Sequence, residues 1–294
     1  MPNLPSDIIG LTKSAPVSRR GFMTASAASA AGYTLAAGDV RAEAITTSTE
    51  GLTVGTSKAT VGSSDMPLYF ARPAGVEKPP VILVAMEIFG LHEYIRDVTR
   101  RLAKLGAFAV APDMYFRAGQ DLTQITDFAK LMPIVNAKPD AETRGDLDAT
   151  VAWAKAQGGD TDRLGIIGFC RGGRSVWLYG AHNRALKAGV AFYGSLVDPE
   201  GQKAIWPKSP TELAADMKAP ILGLYGDADQ GIPVAQVEAM KAALSASGKT
   251  ADFKIFPGAP HGFHADYRPS YRADAASVAW LDAVAWFTKY RVLG

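Results

Sequence analysis

The chain has 294 residues, 48% of them hydrophobic, and a formal charge of +2. That is enough apolar material for one large core, and the near-neutral balance gives no electrostatic grip on nucleic acid or a strongly anionic partner. A single cysteine excludes an internal disulfide.

Ser18-Arg19-Arg20-Gly21-Phe22-Met23 is a twin-arginine pattern. A mildly apolar, alanine-rich stretch follows, and then Ala42-Glu43-Ala44, a small-x-small cleavage site. We expect residues 1–44 to be an export signal cut after Ala44, which sends a folded protein to the periplasm or out of the cell. The segment is too short and too polar for a stable membrane anchor. Residues 45–64 are rich in Thr, Ser and Gly and read as a linker or edge segment. Residues 65–294 read as one domain.

Within that domain, 66–72 alternates as a strand does. The unbroken apolar run 81–86 suits a strand covered on both faces. Helical periodicity over 95–105 stops at Gly106, and 108–111 is the next strand. Residues 122–135 read as helical, with a place over the site as a cap or lid. A helix over 141–156 opens on acidic residues that suit its dipole. Strands follow at 164–167, 188–193, 221–226 and 253–256, with helices at 175–181, 233–246 and 273–290. Strands alternating with helices predict an α/β fold with a mostly parallel, doubly wound sheet and helices on both faces.

Three turns carry chemistry, each just past a strand's C-terminal end, where open α/β sheets keep their sites. Gly168-Phe169-Cys170-Arg171-Gly172-Gly173 joins a strand to a helix through a tight Gly-x-Cys-x-Gly turn. This is a nucleophile elbow with cysteine in the usual serine place. The helix N-terminus aimed at the sulfur favours thiolate and any oxyanion beside it. After strand 221–226, Asp229 or Asp227 supplies an acid. Asp229 is preferred, since an Asp directly after a glycine is often only a turn residue. After strand 253–256, His261 supplies the base. Nucleophile, acid and histidine in that order is the α/β-hydrolase arrangement. Backbone N–H groups of Arg171 and of Ile88, in the loop after strand 81–86, are the candidate oxyanion hole. Glu87, a carboxylate just past a buried strand, needs either work or a partner, and a salt bridge to a nearby Arg is the alternative to a catalytic role.

Taken together, Glu87-Ile88-Phe89-Gly90, Pro112-Asp113-Met114-Tyr115-Phe116-Arg117, the cysteine elbow, Asp229 before Pro233, and His261-Gly262-Phe263 resemble the dienelactone hydrolase (carboxymethylenebutenolidase-like) family of α/β-hydrolases. The resemblance spans about residues 65–290. It implies a hydrolase of small activated esters or lactones, with Cys170 as nucleophile and Asp229 and His261 completing the triad. It also implies that Glu87 pairs with the resting thiol, that Arg117 holds a substrate carboxylate, and that Tyr193 and Phe263 belong to the pocket. The chain departs from the family in three places. Ala265 stands where a second carboxylate-binding arginine is usual, although Arg268 is near. Arg171 replaces a usually apolar residue and brings a cation to the rim. The leader is also unexpected for such an enzyme. These departures imply a different natural ester or lactone.

A broader thioesterase or acyltransferase, or a non-catalytic ligand-binding protein on the same fold, are the competing readings. No cofactor or metal is expected. His92 reads as a helix start that could line the pocket, His182 as a helix end, and His264 has no ligand set around it. The expected partner is a small molecule, and the protein is expected to be a monomer or weak dimer.

Overall fold

The computed structural model describes residues 44–294, so the expected export signal, Ala44 apart, lies outside the described residues. Eight strands form one sheet in the order β1-β2-β4-β3-β5-β6-β7-β8. They are β1 (Leu52–Val61), β2 (Ser64–Pro73), β3 (Pro80–Ala85), β4 (Phe108–Pro112), β5 (Asp160–Phe169), β6 (Leu186–Phe192), β7 (Ile221–Gly226) and β8 (Ala251–Phe256). β1 and β2 pair antiparallel, as do β2 and β4, and every other pairing is parallel.

The apolar runs explain the centre. Every residue of β3, β4 and β7 is buried, because helices cover both faces. Among the described residues the α-helices are α1 (Glu93–Lys104), α2 (Phe128–Ala137), α3 (Asp140–Ala156), α4 (Arg171–His182), α5 (Val234–Ala246) and α6 (Ala273–Lys289), and all but α2 pack directly on strands. α1 and α3 begin on acidic residues and end on basic ones, which suits the dipole of each. The chain leaves β3 toward β4 on one side and, from β5, builds toward β6 on the other. The C-terminal ends of β3 and β5 therefore flank the switch point where such sheets bind ligands.

Two boundaries differ from the sequence reading. The 45–64 segment contributes a full strand, since β1 pairs with β2 along ten residues from Leu52↔Pro73 to Val61↔Ser64. The sheet thus begins before residue 65. The single helix expected over 122–135 is two pieces, a 3-10 turn at Leu122–Gln124 and then α2. Asp121 caps the first through the Thr123 N–H at 2.9 Å, and Asp127 caps the second through the Ala129 N–H at 2.9 Å. Two capping aspartates six residues apart restart the helix rather than continue it.

Candidate active site

Cys170 sits between β5 and α4 with φ 56° and ψ −117°. A side chain rarely holds such a conformation, and here the surrounding backbone imposes it. The Cys170 N–H donates to the Phe192 carbonyl at 3.1 Å, and the Arg174 N–H donates to the Cys170 carbonyl at 3.2 Å. A Cβ on Gly168 would stand 2.2 Å from the Gly172 oxygen, and one on Gly172 would stand 2.0 Å from the Ala85 oxygen. Only glycine permits that approach of elbow to β3.

His261 Nδ1 lies 2.8 Å from Asp229 Oδ2. The other Asp229 oxygen accepts the N–H groups of Gly231 at 2.8 Å and Ile232 at 3.1 Å, which fixes the carboxylate's plane. Asp227 points elsewhere, accepting the Gly258 N–H at 2.6 Å and tying the β7 and β8 turns together. The far side of His261 meets the Cys170 sulfur through a side-chain hydrogen bond. Burial disfavours a charged imidazole, but Cys170 and Asp229 outweigh it and lift His261 to about 10. The arrangement therefore favours an imidazolium at His261.

Glu87 is fully buried and is not placed on the thiol as expected. Its Oε1 pairs with Arg268 Nη2 at 3.1 Å, its Oε2 accepts the Tyr267 hydroxyl at 2.8 Å, and His92 Nε2 stands 3.2 Å away. Burial alone raises a carboxyl, yet Arg268 and His92, with the Tyr267 bond, bring Glu87 down to about 2. The physical reason for the correction is the guanidinium, whose full charge outcompetes a thiol for the carboxylate. The sequence left open a salt bridge from Glu87 to a nearby arginine, which the structure shows to be Arg268, but gave no sign of the joint clamp with Tyr267 and His92. No local motif joins residues so far apart in the chain, and the signal available was only that a buried Glu needs a cation.

The other expected residues divide. Ile88 and Arg171 occupy the loop after β3 and the first position of α4. The Arg171 guanidinium lies with its centre 3.7 Å from the Trp206 ring centroid, close enough to Tyr115 to act on its hydroxyl. Arg117 does not present a free fork. Its Nη1 and Nη2 hold both oxygens of buried Asp146 at 3.0 and 2.8 Å, a carboxylate that Lys138 also contacts at 2.5 Å. An internal carboxylate has thus taken the place expected for a substrate's. Tyr193 is buried in a left-handed conformation, φ 37°, with its ring 5.1 Å from that of His261. Phe263 has no exposed surface and packs behind Tyr193 at 5.5 Å, so it supports the pocket rather than lining it.

His264 accepts from the Tyr94 hydroxyl at 2.7 Å or donates to it, and burial beside Arg101 keeps it neutral. Among the described residues no three His, Cys, Asp or Glu side chains converge as a metal would need. An apolar cavity of about 280 Å³ opens next to the Glu87 clamp, walled by Phe89, Tyr94, Leu122, Phe128, Leu131 and Tyr267. Among the described residues no helix is long and apolar enough to cross a membrane.

A mostly parallel sheet with a strained cysteine turn after β5, an aspartate after β7 and a histidine after β8 fits an α/β-hydrolase fold. The family model for the dienelactone hydrolase family matches residues 66–291, and the chain belongs to that family. It is 50% identical over 290 residues to the "Putative carboxymethylenebutenolidase" of Methylorubrum extorquens, covering 98% of each chain. The solved structure titled "Putative Dienelactone Hydrolase" from Klebsiella pneumoniae superposes with a TM-score of 0.78 at 44% identity, covering 81% of this chain and 99% of that one. A Bradyrhizobium protein named "Probable 2-oxo-3-(5-oxofuran-2-ylidene)propanoate lactonase" is 32% identical over 219 residues, covering 74% of this chain and 87% of its own.

Proposed function

We propose that the chain hydrolyses small activated esters or lactones by covalent catalysis at Cys170. The observation that carries this is the line Asp229–His261–Cys170, with Asp229 fixed by two backbone N–H groups and the sulfur at the mouth of a strained elbow. The lactonase name carried by one relative supports a cyclic ester as one substrate class.

The thiolate attacks the carbonyl carbon, and the C=O electron pair moves onto oxygen. The backbone N–H groups of Ile88 and Arg171 receive that oxyanion. The carbonyl re-forms, the C–O bond to the leaving group breaks, and the His261 imidazolium gives its proton to the departing oxygen. In a lactone the departing alkoxide or enolate remains attached to the acyl group. An acyl-thioester on Cys170 results, with His261 neutral. His261 then takes a proton from water as the water attacks the thioester, and the thiolate leaves. Asp229 holds the imidazole and stabilises its charged form throughout. A thiolate is the better leaving group against an alkoxide of ordinary basicity, so enol esters and enol lactones, which expel a stabilised enolate, turn over faster than simple esters or amides.

The test is the ultraviolet absorbance of a dienelactone mixed with the purified protein, with Cys170→Ala alongside. Loss of absorbance that requires Cys170 supports the reading, whereas equal rates for both proteins overturn it. We further propose export by the twin-arginine route, on the strength of Ser18-Arg19-Arg20-Gly21-Phe22-Met23 and Ala42-Glu43-Ala44. Retention in the cytoplasm after Arg19→Lys and Arg20→Lys, against release of the unaltered chain, tests it.

A further inference from the structure

We propose that the Ile45 ammonium freed by cutting the Ala44–Ile45 bond docks on the buried carboxylate of Asp266 and clamps the segment that carries His261. This rests on the export reading given above and extends it to a built receptor for the processed N-terminus.

The receptor is a buried charge cluster in which Asp266 is held by a single guanidinium. Asp266 and Asp97 are almost wholly buried. Arg101 bridges them, with Nη2 2.6 Å from Asp266 Oδ2 and Nε 2.5 Å from Asp97 Oδ2. Arg100 Nη2 divides itself between Asp97 at 3.0 Å and the exposed Glu93 at 2.5 Å. Two buried carboxylates therefore face two guanidiniums, one of which, Arg100, is shared with the solvent-exposed Glu93. The nearby His264, Tyr94 and Tyr271 are neutral, since burial keeps the imidazole unprotonated and the two phenols protonated. Burial also pushes the Asp266 carboxyl up, which Arg101 only partly offsets.

The segment leading into β1 already lies in this receptor. Ile45 and Asp266 line the same cavity, and the Ile45 N–H favours the ionised Asp266 carboxylate. Two residues on, the Thr47 N–H donates to Asp97 Oδ1 at 2.6 Å, and its hydroxyl reaches Oδ2 at 3.3 Å. Ala44, Ile45 and Thr46 form a wall of the apolar cavity beside Phe89 and Tyr267. Hydrolysis by a signal peptidase adds one water. Ala44 leaves with the leader as a carboxylate, and the Ile45 nitrogen becomes an ammonium without needing to change place. A neutral amide donor is thereby replaced by a charged one against a buried carboxylate, a stronger interaction. Processing itself thus supplies Asp266 with a second cation.

Asp266 is five residues past His261 and adjoins Tyr267 and Arg268, which hold Glu87. Docking thus fastens one loop that serves both the imidazole and the glutamate clamp.

The experiment uses three proteins: the exported chain, the full-length chain retained by Arg19→Lys and Arg20→Lys, and the exported chain with Asp266→Asn. Intact mass gives the N-terminus, and an amine-acylating reagent near neutral pH reads its reactivity. The expected exported chain begins at Ile45. Its α-amine labels about tenfold more slowly when folded than when unfolded, because each unit of raised amine pKa removes nine-tenths of the free base. Asp266→Asn restores fast labelling, and the thermal midpoint of the exported chain lies about 2–4 °C above that of the retained one. Should Asp266→Asn not fold, the labelling ratio and the midpoint difference decide alone. A first residue other than Ile45 overturns the proposal through the cleavage step. A first residue of Ile45 with a freely reactive amine overturns it through the docking step.

Discussion

Arg268 Nη2 stands 3.1 Å from Glu87 Oε1, and neither side chain reaches solvent. The pair holds an ionised carboxylate just past β3, with Tyr267 and His92 beside it. A carboxylate so held is a poor base near neutral pH, which in the proposed mechanism leaves proton transfer to His261.

Acid should dissolve this clamp. Burial opposes ionisation of Glu87, but its partners bring it from the ordinary 4.5 down to about 2. A depressed carboxylate stabilises the fold above its unfolded pKa and loses that contribution as pH falls through the folded one. The stability curve should therefore drop between about pH 5 and pH 2, by about 3 kcal/mol from this group. Glu87→Gln should flatten that part of a denaturant series measured across pH. Arg268→Met should cost about 3–5 kcal/mol at neutral pH, since it strands a buried charge.

Alkali acts on the triad with the opposite sign. His261 is raised from 6.5 to about 10, against burial, by Cys170 and Asp229. A raised group contributes its full stability below the unfolded pKa and loses it as pH rises through the folded one. The imidazolium should persist past pH 8 in NMR spectra of ring-labelled protein. In Cys170→Ala its titration should fall toward the ordinary value, and turnover should drop by about 10³-fold or more while the fold survives.

The two aspartates should separate by readout. Asp229→Asn should cost about 10²–10⁴-fold in kcat, because the imidazole loses its orienting acceptor. Asp227→Asn should leave kcat within about threefold and reduce stability by about 1 kcal/mol, since it weakens the bond to the Gly258 N–H. Equal kinetic losses in both variants would undo the assignment.

Arg117 provides a test of what its fork is for. Arg117→Met should lower stability by about 1–2 kcal/mol, softened because Lys138 still holds Asp146. KM for an anionic lactone should change less than about threefold. A rise of tenfold or more with stability unchanged would return Arg117 to the substrate.

The sheet was legible because its strands are written as uninterrupted apolar runs such as Val81–Met86 and as glycine-tight turns, and both signals are local. The order Cys170, Asp229, His261 was legible because fold topology dictates it. The Glu87 clamp was not, since Tyr267 and Arg268 lie 180 residues or more along the chain and meet it only once β3 and the His261 loop are neighbours. Arg117 misled for the same reason. A guanidinium suited to a substrate carboxylate suits a buried aspartate equally well, and only folding brings Asp146 to it. The hairpin strand β1 was half hidden because its Thr- and Ser-rich residues face solvent at a sheet edge, where hydrophobic contrast is weakest.

The elbow is held by main chain against main chain: Gly168 against the Gly172 oxygen, Gly172 against the Ala85 oxygen, and the Cys170 amide on the Phe192 carbonyl. None of these contacts consults the side chain that the turn presents. The socket is therefore indifferent to the tool it carries, and exchanging sulfur for oxygen would leave the mounting untouched. On such a mounting, evolution can alter reactivity by a single codon and refit the surroundings afterwards.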